Sequence, residues 1–124
     1  MTIIHAHRAL APDGWARDVS IQVDAAGRIA AVAPAGPGTP AAVLVPGMPN
    51  VHSHAFQRAL AGRAEQAGHG LDSFMTWRER MYALSHRVSP DDLETIATLL
   101  YVEMLEAGYT SVCEFNYLHH APDG

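Results

Sequence analysis

Residues 89–108 spell out one helix from end to end, and that helix constrains everything around it. Ser89 is a good N-cap, Pro90 suits the first helical position, and Asp91 and Asp92 complement the positive end of the helix dipole. Leu93, Ile96, Ala97, Leu100, Met104 and Ala107 then recur on one face, and Gly108 follows as a C′ residue. Directly after it, Thr110-Ser111-Val112-Cys113-Glu114-Phe115 reads as a strand. Well before it, Val43-Leu44-Val45 is a short β-branched run of the kind found in fully buried strands. Strand, helical excursion, strand is a βαβ unit, and such crossovers are right-handed within a parallel sheet. Inside the excursion, Phe74, Trp77, Met81, Leu84 and Val88 predict an earlier helix over 73–88, behind Asp72 as N-cap.

The N-terminal third has a different character. Ile3-Ile4, 19–23 and 28–32 are short β-type runs, and Asp24-Ala25-Ala26-Gly27 between the last two predicts a hairpin connection. Pro12-Asp13-Gly14 marks another turn. Val19, Ile21 and Val23 alternate with Ser20 and Gln22, which predicts one buried and one wet face in a small antiparallel sheet, too small to stand alone. Five of the eight prolines fall within 34–49, so 33–40 reads as a surface loop or linker. The expected division is therefore 1–44, sheet strands and linker, and 45–124, the βαβ portion.

Composition narrows the classes of function. With 48% apolar and 17% charged residues the chain is too apolar to be disordered. Lys+Arg 8 against Asp+Glu 13 gives a net charge of −5, which argues against nucleic acid as a partner. No run approaches a membrane span and the start lacks the pattern of a signal peptide. The single Cys113 excludes a disulfide framework, so a reducing, cytoplasmic setting is expected. Every basic residue is Arg, which removes lysine Schiff-base chemistry within these residues.

The residues that carry chemistry are His52 and His54, in V-P-G-M-P-N-V-H-S-H. Side chains two apart on an extended chain share a face about 6.6–7 Å apart along it, and two imidazoles so placed can reach one metal ion. They follow an apolar run, at the carboxyl end of an expected buried strand, where α/β folds build their sites. A bare H-x-H also occurs by chance, and two histidines that merely pack or hydrogen-bond remain the competing reading.

Three separated motifs carry a family resemblance. V-P-G-M-P-N-V-H-S-H-A-F-Q-R resembles the first-strand signature of the amidohydrolase superfamily. Together with D-S-F-M-T-W-R-E-R-M-Y and L-Y-V-E-M-L-E-A-G-Y-T-S-V-C-E-F-N-Y-L-H-H, it is similar to the formimidoylglutamate deiminases of histidine degradation. The resemblance implies an α/β fold: the N-terminal fragment of a metal-dependent (β/α)8 TIM-like barrel, preceded by part of a small β-sandwich. It implies zinc-dependent hydrolysis of N-formimino-L-glutamate, a small-molecule substrate, to N-formyl-L-glutamate and ammonia. His52 and His54 match the two first-strand ligands of a single Zn2+, and Gln57, Arg78 and Tyr117 match substrate contacts. Each of the three also has a plainer reading: Gln57 capping the following turn, Arg78 solvated or paired within the chain, Tyr117 packing.

A (β/α)8 barrel needs about 250 residues and a catalytic zinc usually has three protein ligands. The remaining ligands and the acid/base residues are therefore expected beyond Gly124, no catalytic acid or base within the chain, and the fragment alone inactive. Cys113 is expected to be a buried strand residue, and Glu114 an in-strand carboxylate with no assigned role. His5, His7, His69 and His86 are expected at the surface. His119-His120, being adjacent, point to opposite faces of an extended segment and suit a metal poorly. The alternatives are another amidohydrolase deaminase with a guanine-type or related ring substrate, or a non-catalytic βαβ module. Whether the intact protein is a homodimer is left open.

Overall fold

The computed structural model describes residues 1–64 and 73–120. The expected Asp72 cap, His69 and the turn at 121–124 lie outside them. The chain divides into two compact units, Met1–Pro46 and Gly47–Gly124.

The first unit is a four-stranded sheet in the order β3-β2-β1-β4. Strands β1 (Thr2–Ala11) and β2 (Gly14–Val23) form an antiparallel hairpin across the Pro12-Asp13 turn. Strand β3 (Ile29–Pro34) returns antiparallel to β2 after a turn in which Asp24 Oδ1 accepts from Ala26 N and Arg28 N at 2.8 and 2.9 Å. Gly27 there has φ +76°, the conformation that the sequence leads one to expect of a hairpin glycine.

The stretch predicted as linker is partly strand. Thr39–Leu44 forms β4, which pairs in parallel with β1. Its proline content hides it, yet β4 is an edge strand, where a missing N–H is tolerated. The segment lies so close to β1 that a Cβ on Gly38 would stand 2.9 Å from the Ile3 carbonyl oxygen. The predicted alternation on β2 also fails. Ser20 and Ile21 are both buried, because the chain after β3 covers Ser20, whose Oγ accepts from Gly36 N at 2.9 Å.

In the second unit β5 (Met48–Ser53) and β6 (Tyr109–Glu114) run parallel, joined through a 3-10 helix (Ala55–Leu60), α1 (Phe74–Ser85) and α2 (Pro90–Glu106). The βαβ unit is present, but its first strand is β5. Val43 and Val45, expected in a fully buried strand, are 56% and 54% exposed. Pro49 falls at a register irregularity of the β5–β6 pair, which lets a proline sit in the strand. Gly47 is needed for close approach: the Thr110 side chain occupies the place a Cβ would take.

Both helices begin with a capping box. Ser89 and Asp92 exchange bonds at the start of α2, which holds the Asp92 carboxyl below its usual range. Gly108 follows that helix at φ +90°, as its position predicts. The cap of α1 is Ser73, paired with Thr76. That helix stops at Ser85, short of Val88; Pro90, five residues on, opens the next helix and disfavours helical geometry at the residue before it. Phe56, Leu60 and Met81 form the core, with Trp77, Leu84, Leu93 and Leu118 against it. The stripe on α2 is only half-covered, and its Ala107 is exposed. Cys113, expected inside, is exposed, since a sheet of two strands leaves much of its surface uncovered. No described helix is long and apolar enough to cross a membrane.

Candidate metal centre

Strand β5 ends at Ser53, and the chain turns at His54 into the 3-10 helix. Backbone pairing extends past the last ladder residue, with Phe115 N donating to Ser53 O at 2.9 Å. His52 is therefore the penultimate strand residue and His54 the helix N-cap. Their rings meet edge to face, with centroids 4.9 Å apart and Nε2 to Nε2 at 3.1 Å.

The tautomer of His54 follows from its other nitrogen. Nδ1 lies 2.9 Å from the Phe115 carbonyl oxygen, which can only accept, so Nδ1 carries the proton. In the neutral ring Nε2 is then bare and turned toward His52. A backbone carbonyl fixing the far nitrogen is the usual support of a ligating imidazole. Two bonds of about 2.0–2.1 Å meeting at a tetrahedral angle set their donor atoms about 3.3 Å apart, close to the 3.1 Å here. The pair fits one zinc-sized cation. Among the described residues no group of three His, Cys, Asp or Glu could hold a metal, so a catalytic set needs at least one ligand more.

The two imidazoles line a cleft of about 290 Å³ together with Gln57, Phe74, Trp77, Arg78, Met81, Tyr82 and Tyr117. All five residues singled out in the sequence thus face one space. Gln57 comes from the 3-10 helix, its Nε2 3.3 Å from Met81 Sδ. Arg78 comes from α1, its guanidinium 4.8 Å from the Tyr82 ring centroid with Nη2 3.4 Å from the Tyr82 hydroxyl. It pairs with no carboxylate among the described residues, so a cationic, fork-shaped donor is left facing the cleft. Tyr117 follows β6, its ring tilted against that of His54 with centroids 4.8 Å apart. His119 and His120 border a different hollow beside Ser89 and Leu93.

Two supports were not foreseen. Arg58 of the 3-10 helix grips Glu103 of α2 through Nε and Nη2, both at 2.7 Å. These bonds raise the Arg58 pKa and lower that of Glu103. Glu114 Oε1 accepts from Ala55 N at 2.6 Å, which anchors the residue after His54. Tyr101 on α2 stands beside this carboxylate; burial first, and the charge of Glu114 second, push its phenol upward. Neither support has a local sequence signal, because each joins residues more than forty apart.

Comparison with known proteins bears on the whole chain. Residues 1–41 match the family model described as "Formimidoylglutamate deiminase HutF, N-terminal domain", and residues 43–123 match the "Amidohydrolase family" model. Over 128 aligned residues the chain is 53% identical to formimidoylglutamate deiminase of Pseudomonas aeruginosa, covering 100% of this chain and 28% of that protein. A crystal structure of an amidohydrolase from Brucella melitensis superposes with a TM-score of 0.88 at 47% identity, covering 99% of this chain and 28% of that one. The chain thus spans 28% of the length of either relative.

Proposed function

This chain belongs to the amidohydrolase family, and from that premise we propose that it forms the start of a (β/α)8 barrel enzyme hydrolysing N-formimino-L-glutamate to N-formyl-L-glutamate and ammonia. His52 and His54 are two ligands of one zinc ion in this reading. Bound there, zinc supplies Lewis acidity and lowers the pKa of a water to near neutrality. The residues themselves do the placing. Arg78 takes a substrate carboxylate in a bidentate grip, for which its planar fork is suited. Gln57 and Tyr117 offer an amide and a phenol to the polar atoms of the same small molecule, while Phe74 and Trp77 wall the cleft.

The observation that supports this most is the convergence on a single cleft of two imidazoles, one with its Nε2 bare, and a guanidinium that pairs with no carboxylate among the described residues. A ring-substrate deaminase shares the metal but has no carboxylate to offer Arg78. The test is made on the full-length protein. Ammonia release from formiminoglutamate is expected to need metal, to stop with a chelator, and to return with zinc. Arg78→Met is expected to lower kcat/KM for formiminoglutamate by roughly 100-fold, the range for losing a charge-assisted pair. Retained turnover in that variant, with a purine deaminated equally well, overturns the substrate assignment.

A further inference from the structure

The start of the 3-10 helix poses a capping problem. The N-cap position normally carries Ser, Thr, Asp or Asn, whose side chain accepts from an unpaired backbone N–H of the first turn. Here the N-cap is His54, and its side chain makes no cap bond. Its Nδ1 is committed to the Phe115 carbonyl and its Nε2 to the cleft. The N–H of Ala55, a residue only 2% exposed, is met instead by Glu114 Oε1 from the neighbouring strand.

Glu114 lies opposite Ser53 in the β5–β6 register. Its second oxygen, Oε2, is buried and bonds to nothing among the described residues. Besides the bond to Ala55 N, the Glu114 carboxylate has the Tyr101 phenol beside it as a hydrogen-bonding neighbour. Burying a carboxylate oxygen costs free energy, and this one is set beside the start of the 3-10 helix. The adjacent residue completes the arrangement: Phe115 N bonds Ser53 O, and Phe115 O bonds the His54 ring. The residues on both sides of His54, and its ring, are therefore all held by the two residues Glu114-Phe115.

We propose that Glu114 is a positioning residue for His54: by capping the 3-10 helix from β6 in place of the N-cap side chain, it frees the imidazole for metal and keeps the ring where the Phe115 carbonyl fixes its Nδ1–H tautomer. This rests on the reading of His54 as a metal ligand. The reach of the side chain matters here rather than its charge. Gln keeps that reach, whereas Asp keeps the charge and withdraws the oxygens by about 1.5 Å, one C–C bond.

The experiment uses the full-length protein and two readouts. Zinc affinity is measured by competition with a chromophoric chelator. The His54 tautomer is read in the metal-free protein from two-bond 1H–15N correlations of its ring. E114Q is expected to bind zinc within about threefold of wild type, whereas E114D weakens it roughly 10- to 100-fold, the range seen when a supporting bond to a ligand is lost. Wild type and E114Q show His54 protonated at Nδ1, and E114D shows a mixture with Nε2–H. The proposal is overturned if E114D matches wild type in both readouts, or if E114Q falls as far as E114D. It is equally overturned if E114D fails to fold, since Glu114 then serves the fold rather than the ligand. If His52→Ala and His54→Ala leave zinc binding unchanged, the metal reading itself fails. The tautomer comparison, made without metal, still decides the role of Glu114.

Discussion

The chain carries two H-x-H pairs on strands, His5-Ala6-His7 in β1 and His52-Ser53-His54 at the end of β5. Spacing alone cannot tell them apart, yet the structure separates them sharply. The first pair sits mid-strand with ring centroids 6.1 Å apart, against 4.9 Å for the second. His7 turns outward to an exposed bond with Asp18, while His5 is half-buried, not at the surface as its context suggests, with Nδ1 meeting no partner among the described residues. Each ring of that pair is thus oriented for itself. At the end of β5 the ladder stops, the chain bends, and a carbonyl of the next strand turns one imidazole toward the other. A shared cation site therefore needs more than two residues on one face. It needs the strand to end there and a bond that aims the lone pair.

The strongest way to break this contrast is to delete each pair in turn. In the full-length protein, His52→Ala or His54→Ala is expected to lower zinc affinity by roughly 100-fold or more. His5→Ala and His7→Ala should stay within about twofold of wild type, since they remove no atom from the cleft. Equal losses from both pairs, measured by metal content after dialysis, would show that the geometric distinction carries no meaning.

A second test moves the strand rather than the ligand. Gly47→Ala drives a methyl group into the Thr110 side chain, and Gly38→Ala drives one against Ile3. Overpacking of this kind costs about 1–3 kcal/mol in either place, read as a lower denaturation midpoint. Only Gly47→Ala should also weaken zinc binding, because it displaces the strand that presents His52 and His54. If Gly38→Ala weakens metal binding as much, the effect is general destabilisation and the link from β5 register to the site is wrong.

What the sequence made legible follows the range of the forces involved. Helix α2 was readable because Ser89, Pro90, Asp92 and Gly108 are local signals that act on adjacent backbone. The H-x-H pair is readable from its spacing after an apolar run, Gln57, Arg78 and Tyr117 by resemblance, and the cleft collects all five. The sequence points to 43–45 rather than β5 as the first strand of the βαβ unit because Pro46, Gly47 and Pro49 look like breakers. Of these only Pro49 lies in β5, which forms through pairing with β6, a strand that arrives far later in the chain. Strand β4 was hidden for the same reason. Glu114 and Phe115 could be named as strand residues, but their grip on Ala55 and His54 exists only once two strands lie side by side. Cys113 was placed inside by its neighbours' β-propensity, which is indifferent to which face a helix covers.

The smallest effect concerns two side-chain contacts among the described residues, one in each unit. The His7–Asp18 bond has side chains 77% and 59% exposed, whereas Arg58–Glu103 is bidentate at 34% and 39%. Asp18→Asn is expected to leave stability unchanged within error, as exposed single bonds usually do. Glu103→Gln should lower the denaturation midpoint slightly, because it loosens the 3-10 helix that follows His54 from α2. The pH dependence gives the sign. Its bond to Arg58 holds Glu103 below the usual carboxylate value of 4.5 when folded. The folded state therefore binds that proton less readily than the unfolded chain. The stabilisation is present in full above 4.5 and is lost as pH falls through the lowered folded value. Wild type and Glu103→Gln should thus differ most at neutral pH and converge in acid. Added salt should narrow the neutral-pH gap by screening a half-exposed pair. A gap that persists unchanged into acid would mean that the Glu103 side chain holds the helix by packing, not by its charge.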